Sequence, residues 1–278
     1  MKVTFIVAPY DSGQVYAGFG QGPEALIAGG LVEELTLNGH DIEVRDIGEV
    51  GDAPREISTG FAVCAVVAKT VGEALGRGRF PIVLAGNCLT SVGAVAREAA
   101  DSIVWFDQHA DINTPDTSTT GFLDGMALAA VLGLCWRGMT GAIPGFTPID
   151  PARCLLAGAR DLDAAETRLL EELPVIRAAC GSAPEKMAAL KAAGATCAHL
   201  HLDLDVLDPE KLQVNRYAGP GGPDPEQLRN AVCGLVGHVP IAGMTISAYD
   251  PAFDPRAEVP PVVGKMLADF LAAMERSR

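Results

Sequence analysis

Acidic and imidazole side chains recur at regular spacing in two parts of the sequence. Asp107, His109 and Asp111 form a D-x-H-x-D segment, and Asp203 and Asp205 begin a D-x-D-x-x-D-P segment. Alternate residues of a strand face the same way, so Asp203 and Asp205 are predicted to point together and to repel one another unless they are protonated or bind cations. Carboxylates and an imidazole suit manganese or a related divalent ion, and shared carboxylates would hold two ions about 3.5 to 4 Å apart. Either segment alone is typical of strand-end capping, but the pair favours a metal site.

These segments follow short apolar runs that are typical of buried parallel strands. Strands are predicted at 3–8, 81–86, 102–107, 153–158, 198–205 and 241–247. Amphipathic patterns between them predict helices at 22–39, 62–75, 89–99, 164–172, 184–193, 225–235 and 262–276. This alternation indicates an α/β fold with helices on both faces of a parallel sheet. Ligands of such sheets bind beyond the carboxyl ends of the strands, which is where the polar segments lie.

The composition limits the class of protein and its partners. With 278 residues, 49% of them hydrophobic and 20% charged, the chain is expected to form one globular domain over 1–278. Its net charge of −14 disfavours nucleic acid and anionic membranes as partners. The seven cysteines form no C-x-x-C pair, and the first residues contain no apolar run of secretory length. We therefore expect reduced thiols and a cytoplasmic location.

Several segments resemble the arginase, or ureohydrolase, family and occur in the family's order. WFDQHADINTP at 105–115 is similar to the family's DAHxDINTP segment, and HLDLDVLDP at 201–209 to its SxDxDxxDP segment. The glycine-rich stretch at 18–23 and GARDLDAAE at 158–166 also match. The resemblance implies a three-layer α/β/α fold with a central, mostly parallel eight-stranded sheet. It further implies a homo-oligomer that hydrolyses a guanidino group of a small molecule with two manganese ions and a metal-bound hydroxide.

The resemblance also assigns the metal ligands. It implies that Asp107 and Asp203 bridge the two ions, that Asp111 completes the ligand set of one ion, and that His109 and Asp205 complete the other.

Four further positions match the family's substrate contacts. Asn113 and Thr120 align with residues that hold an α-carboxylate in arginases, Asp163 aligns with the contact to the α-amino group, and Glu166 lies near it. The resemblance therefore implies an α-amino acid substrate rather than a decarboxylated amine. Polar residues in loops and at helix starts are the alternative interpretation of all four.

Three positions depart from the family pattern. Cys88 replaces a histidine ligand and is either a softer ligand that alters the first site or an uncoordinated thiol. Asp124 replaces a histidine that transfers protons in arginases and is either an acid whose pKa is raised by burial or a solvent-facing helix cap. Ala248 falls where the family places a glutamate that binds the guanidinium group.

The strand that carries Asp203 also carries two histidines. His199 and His201 alternate with Asp203, so they are predicted to share its face. His201 is the nearer. It is interpreted as a residue that transfers a proton, orients a ligand or binds a metal directly, or as a satisfied core histidine.

The substitutions at 88 and 124, together with the segment after D-x-H-x-D, resemble one branch of the family. That branch is the N-hydroxyarginine amidinohydrolase of D-cycloserine biosynthesis. The sequence therefore predicts a hydrolase that cleaves a linear C–N bond of an arginine-like or Nω-hydroxyarginine-like amino acid. The alternative hypothesis, motivated by Cys88, Asp124 and Ala248, is a non-catalytic or regulatory family member that binds metal or amino acid without turnover.

Overall fold

The computed structural model describes residues 1–51 and 55–277. Within these residues, eight strands form one central sheet: β1 (Lys2–Ala8), β2 (Asp41–Asp46), β3 (Phe80–Ala85), β4 (Ser102–Phe106), β5 (Cys154–Ala157), β6 (Ile176–Ala178), β7 (Ala198–Asp203) and β8 (Ile241–Ser247). Their order is β2-β1-β3-β8-β7-β4-β5-β6, and every neighbouring pair is parallel. The predicted fold class and eight-stranded parallel sheet are therefore confirmed.

Helices cover both faces of this sheet. In chain order they are α1 (Gly22–Leu26), α2 (Val32–Leu37), α3 (Glu56–Gly76), α4 (Ser91–Glu98), α5 (Ala127–Val131), α6 (Arg137–Thr140), α7 (Ala164–Glu172), α8 (Ala183–Ala192), α9 (Pro225–Gly234) and α10 (Val259–Arg276). Helices α1, α2, α8, α9 and α10 share one apolar core with the sheet, and α3, α4, α5 and α7 pack on the opposite face. The result is a three-layer α/β/α arrangement.

The strands that the sequence did not predict are the two at the edges of the sheet. Every residue of β3, β4 and β7 is buried, because helices cover both faces there, and such strands are recognisable as continuous apolar runs. Strands β2 and β6 are partly exposed and contain charged residues, so they lack that signal.

Two predicted elements end differently in the structure. The helix predicted at 22–39 is interrupted at Gly30, whose φ of 97° is not helical, so that α1 and α2 are separate. The strand predicted at 198–205 ends at Asp203, and residues 204–206 form a 3-10 turn. The carboxylate of Asp203 accepts the backbone N–H of Asp205 at 2.7 Å, so this turn, and not strand alternation, brings the two carboxylates together.

Helix α3 is long and apolar enough to cross a membrane when judged by length and composition alone. In the structure its residues Val63, Val67 and Val71 are buried in one cluster with Ile6 of β1 and Val83 of β3. Packing against the sheet therefore accounts for the apolar character of this helix.

The order of the strands brings the polar segments to one place. The chain passes from β3 to β4 on the other side of the sheet, and β7 and β8 later fill the gap between them. The carboxyl ends of β3, β8, β7 and β4 are therefore neighbours, and ligands of open parallel sheets bind in such a crevice.

Candidate metal centre and adjoining pocket

Two groups of potential metal ligands lie at these strand ends. Cys88, Asp107, His201 and Asp203 form a buried group, in which one ligand atom from each residue lies within 4.8 Å of those of the others. Asp107, His109 and Asp205 form a second group under the same limit. Asp107 belongs to both, as expected for a carboxylate that bridges two ions. We call these the buried group and the pocket-side group.

Local hydrogen bonds fix the shared aspartate. Asp107 follows β4, and its Oδ1 accepts the backbone N–H of His109 at 2.6 Å. Its Oδ2 accepts the indole N–H of Trp105 at 3.0 Å. Each carboxylate oxygen has two lone pairs, so both oxygens retain the capacity to bind a cation.

The buried group is held from several elements. The thiol of Cys88, in the turn after β3, donates to Oδ2 of Asp203 at 3.0 Å and lies 3.1 Å from the hydroxyl of Ser247 at the end of β8. Nδ1 of His201 lies 2.8 Å from the hydroxyl of Ser91 at the start of α4. The site therefore depends on residues far apart in the chain.

The pocket-side group is the more accessible of the two. Nδ1 of His109 lies 3.4 Å from Oδ1 of Asp107 and 3.4 Å from Oδ2 of Asp205. Both carboxylates are buried, whereas the His109 side chain is 30% exposed and contributes to a cavity wall.

Crowding of carboxylates in this low-dielectric region changes their acidity. Burial and the nearby charge of Asp205 raise the pKa of Asp107 to about 6, and burial with neighbouring carboxylates raises the pKa of Asp111 and of Asp203 well above the ordinary value. Burial opposes a charge on His109, but its bonds to Asp107 and Asp205 outweigh this and raise its pKa. The cluster therefore favours added positive charge, from protons or from metal ions.

The residues present fit divalent metal ions. In the part of the chain that the structure describes, Nε2 of His201 and Oδ1 of Asp205 are buried without a hydrogen-bond partner. Leaving such an atom unsatisfied costs about 1–3 kcal/mol. Both atoms belong to residues of the two donor groups, and carboxylate, imidazole and thiol are ligands of divalent ions.

The structure places Asp111 apart from both groups. It is buried in the cavity wall, but among residues 1–51 and 55–277 it belongs to neither set of mutually close ligand atoms. The family resemblance implied that Asp111 completes the ligand set of one ion, whereas the structure brings His201 into the buried group. Its neighbour His199 is a satisfied core residue, since Nδ1 lies 2.7 Å from Glu98 and Nε2 lies 3.1 Å from the hydroxyl of Thr245.

A cavity of about 220 Å³ adjoins the two donor groups. It is lined by acidic, amide and aromatic side chains together with Cys88 and Ala248: Phe19, Cys88, His109, Asp111, Asn113, Phe122, Asp124, Gly125, Glu166, Asp203, Asp205, Tyr217 and Ala248. The positions that depart from the family pattern at 88, 124 and 248 are thus all part of its wall. The three departures therefore cluster around one cavity.

Asp124 is buried, not solvent-facing, and it does not cap the following turn. Its carboxylate accepts the backbone N–H of Leu89 at 2.9 Å and the side-chain amide of Asn87 at 3.0 Å. Burial raises its pKa to about 7, against the opposing effect of these hydrogen bonds. Asp124 therefore both fastens the turn that carries Cys88 and titrates near neutral pH.

The predicted substrate residues separate into two kinds. Asn113 and Glu166 line the cavity. Asp163 lies outside the wall residues and caps α7, where it forms a capping box with Glu166, and it also accepts the side-chain amide of Asn113 at 2.8 Å. Thr120 is exposed on a loop, and its hydroxyl accepts the backbone N–H of Phe122 at 3.2 Å.

The sequence did not single out the aromatic residues of the cavity. Phe19 contacts Tyr217 edge-on with ring centroids 5.8 Å apart, and Phe122 lies 6.3 Å from Tyr217. Gln108 is buried and holds the loop of Tyr217, because its side chain accepts the N–H of Gly219 at 2.7 Å and donates to the carbonyl of Tyr217. The available signal was the Gly/Pro-rich stretch at 218–225, which is typical of a functional loop.

Comparisons with known proteins agree with this geometry. The profile of the Arginase family matches residues 1–272. This chain belongs to the arginase family. An arginase of Bacillus caldovelox is 32% identical over 232 residues, which cover 74% of this chain and 77% of that protein. The structure of that arginase at pH 5.6 has a TM-score of 0.86 with 28% identity, and 97% of each chain is covered.

A second relative supports the resemblance to the amidinohydrolase branch of the arginase family. The N(omega)-hydroxy-L-arginine amidinohydrolase of Streptomyces lavendulae is 34% identical over 172 residues, which cover 61% of this chain and 60% of that protein. The family that the sequence motifs indicated is therefore confirmed.

Proposed function

We propose that this arginase-family chain hydrolyses a linear C–N bond in the guanidino or amidino group of an amino acid, with a substrate like arginine or Nω-hydroxyarginine. The observation that carries the proposal is the pair of donor groups that share Asp107 and adjoin a cavity lined by Asn113 and Glu166. Relatives named as an arginase and as an N(omega)-hydroxy-L-arginine amidinohydrolase support this substrate class.

The two donor groups are the proposed binding sites for two divalent ions, with manganese as the proposed metal. Asp107 would be shared, His109 and Asp205 would hold the ion nearer the cavity, and Asp203 and Cys88 would contribute to the other. When bound, such ions supply Lewis acidity and lower the pKa of water.

The cavity offers contacts for both ends of an extended amino acid. Asn113 and Glu166 line the cavity, and their side chains would bind the α-carboxylate and α-amino groups. The carboxylate of Asp163 accepts the side-chain amide of Asn113 and would orient it. The rings of Phe19, Phe122 and Tyr217 offer apolar surface to the methylene chain and exclude water. This division of polar and apolar surface favours a whole amino acid over a simple guanidine.

Asp124 is the proposed proton donor. It lines the cavity, and burial raises the pKa of its carboxyl to about 7, so a substantial fraction is protonated at neutral pH. General acids work best when their pKa lies near the operating pH. Asp124 would then deliver a proton to the leaving nitrogen.

A second candidate function is binding of metal or amino acid without turnover. Ala248 lines the cavity and offers only a methyl group at the position where the family resemblance expects a carboxylate for the guanidinium. A pocket that holds the amino-acid end but not the reacting end would bind its ligand without cleaving it.

The test is product release together with metal content. The full chain would be loaded with manganese and supplied with L-arginine, Nω-hydroxy-L-arginine, agmatine and guanidino acids, with Asp203→Ala as the control. We expect urea or hydroxyurea from an α-amino acid substrate, a bound metal content near two, and loss of both product and part of the metal in Asp203→Ala.

Other outcomes separate the candidates. Bound metal and saturable amino-acid binding, without product from any substrate, would favour the binding protein. Product formation that persists after complete metal removal would contradict the proposed mechanism. We also propose that the protein is a cytoplasmic homo-oligomer, and light scattering of the purified chain tests the oligomeric state.

A further inference from the structure

Four side chains from three separate parts of the sequence meet in the buried group. Cys88 lies in the turn after β3, Asp107 follows β4, and His201 and Asp203 belong to β7. One ligand atom from each lies within 4.8 Å of the others, and all four residues are buried. The set therefore offers a sulfur, a nitrogen and two oxygens to a single point.

One ring nitrogen of His201 has a hydrogen-bond partner, and the other has none among the described residues. Nδ1 lies 2.8 Å from the hydroxyl of Ser91, and the indole of Trp105 stacks on the imidazole with centroids 3.5 Å apart. Nε2 is fully buried and has no hydrogen-bond partner within the described ranges. If Nδ1–H donates to Ser91, the lone pair of Nε2 is free to bind a cation.

A neighbouring histidine provides the contrast. His199 lies two residues earlier on the same face of β7, and both of its nitrogens are paired, one with Glu98 and one with Thr245. A histidine that serves only the core can thus be satisfied on this strand. Burial on this face of β7 therefore does not by itself leave a histidine nitrogen unpaired.

We propose that His201 binds a metal ion directly through Nε2, together with Cys88, Asp107 and Asp203, and that this buried site takes zinc in preference to manganese. The inference rests on the proposed function and refines its metal assignment for one of the two sites. Thiolate and imidazole ligands select zinc over manganese, and manganese is the weakest binder in the order of first-row divalent ions.

The number of protein donors indicates that the two sites differ in coordination. Four protein donors match the tetrahedral coordination that zinc adopts in closed sites, whereas the pocket-side group has three and leaves a position for a non-protein ligand. Binding would release the thiol proton of Cys88 to solvent, and the hydroxyl of Ser247 would then donate to the thiolate.

The first experiment uses the wild-type full chain, kept reduced and free of substrate. Zinc and manganese affinities are measured by chelator competition, and the protein with one equivalent of zinc is studied by X-ray absorption. We expect zinc to bind at least about tenfold more tightly than manganese. The zinc should have one sulfur at about 2.3 Å and an imidazole nitrogen at about 2.0–2.1 Å. The pocket-side group contains no thiol, so this combination identifies the buried group.

Variants then test each ligand. His201→Gln and Cys88→Ser are each expected to weaken zinc binding by more than about tenfold, since loss of even an outer-shell partner costs that much. Cys88→Ser should also remove the thiolate-to-metal absorption of the cobalt-substituted protein. The matched controls are His238→Gln, at an exposed turn, and Cys154→Ala, in the buried strand β5, and both should bind zinc as the wild type does.

A zinc affinity no higher than the manganese affinity would overturn the proposed preference for zinc. Two further results would overturn the proposed ligand set. One is zinc in the wild-type protein without sulfur or without imidazole, a measurement that does not depend on how the variants fold. The other is a folded His201→Gln protein with wild-type zinc affinity. Either result would contradict the metal-ligand inference but not the proposed hydrolysis, which a centre with manganese in both sites could support. Conversely, zinc bound by His201 without product from any substrate would contradict the proposed hydrolysis but not the metal-ligand inference.

Discussion

The indole of Trp105 stacks on the imidazole of His201, with ring centroids 3.5 Å apart and planes inclined by 16°. The two residues are paired in register across β4 and β7. The same indole donates its N–H to the carboxylate of Asp107 at 3.0 Å. Trp105 therefore contacts one candidate ligand from each of two neighbouring segments and supports the proposed metal centre from outside.

Trp105→Phe should weaken metal binding more than it disturbs the fold. Phenylalanine keeps an aromatic face against His201 but removes the N–H that orients Asp107. We expect metal affinity, measured by chelator competition, to fall about 10-fold to 100-fold. The control is Trp136→Phe, because the N–H of Trp136 points to the sulfur of Met126 and not to a ligand. Equal affinities for both variants would contradict the role assigned to Trp105.

Asp124 should account for the alkaline limb of the pH profile. If its protonated carboxyl is the acid, activity falls as pH rises through its pKa of about 7. Asn87→Ala removes a hydrogen bond that stabilises the charged form, so the pKa rises and this limb should move to higher pH. The measurement is kcat against pH for wild type and Asn87→Ala.

Asp124→Asn supplies the control for that experiment. An asparagine cannot accept from both Leu89 and Asn87, because one of its two groups is a donor. We expect a loss of about 1–3 kcal/mol in the free energy of unfolding, together with loss of the alkaline limb. If the folded Asp124→Asn variant keeps the alkaline limb at the wild-type pH, the limb belongs to a titratable group other than Asp124.

Substitution of Glu166 should affect substrate binding, and substitution of Asp163 should affect stability. Glu166→Gln removes a charge from the cavity wall, yet glutamine at this helix position can still complete a capping box. We therefore expect a higher KM for an amino acid substrate with little change in Tm. Asp163→Ala removes the cap and should cost about 1 kcal/mol of stability.

Thr120→Ala serves as the matched control in the same loop region. Its hydroxyl is exposed and bonded within its own loop, so KM and Tm should both stay near the wild-type values. A large rise in KM for Thr120→Ala would show that the loop closes on the substrate.

Metal removal should destabilise the protein more at pH 8 than at pH 6. In the metal-free fold, burial and Asp205 raise the pKa of Asp107 from 3.8 to about 6, so this carboxyl loses stabilising protonation as pH rises through that range. The pKa of His109 is raised above 6.5 by Asp107 and Asp205 despite burial, which has the same sign. Metal ions compete with these protons for the same side chains, so the stability that bound metal adds to the fold increases with pH.

The measurement is the Tm of loaded and chelator-treated protein at both pH values. The difference in Tm should be larger at pH 8 in the wild type. In Asp107→Asn it should be small at both, because the ligand shared by the two groups is absent. A wild-type difference that shrinks between pH 6 and pH 8 would contradict the linkage.

Local patterns in the sequence determined much of the fold and the types of ligand. Six of the strands were predictable because helices bury both of their faces, which requires continuous apolar runs such as the one at 102–107. The edge strands β2 and β6 lack that burial and therefore that signal. Asp107, Asp203 and Asp205 were predicted as ligands because charged groups at strand ends need a counter-charge, and the structure brings all three into the two donor groups.

The tertiary structure alone decided which side chains meet. Strand order places β8 and β7 between β3 and β4, and this order brings Cys88 and His201 together while Asp111 stays in the cavity wall. Burial of Asp124 likewise depends on its contact with Leu89, 35 residues away in the chain. Spacing along one strand fixes the face on which a residue lies, but contacts between strands depend on packing of the whole sheet, which local periodicity does not encode.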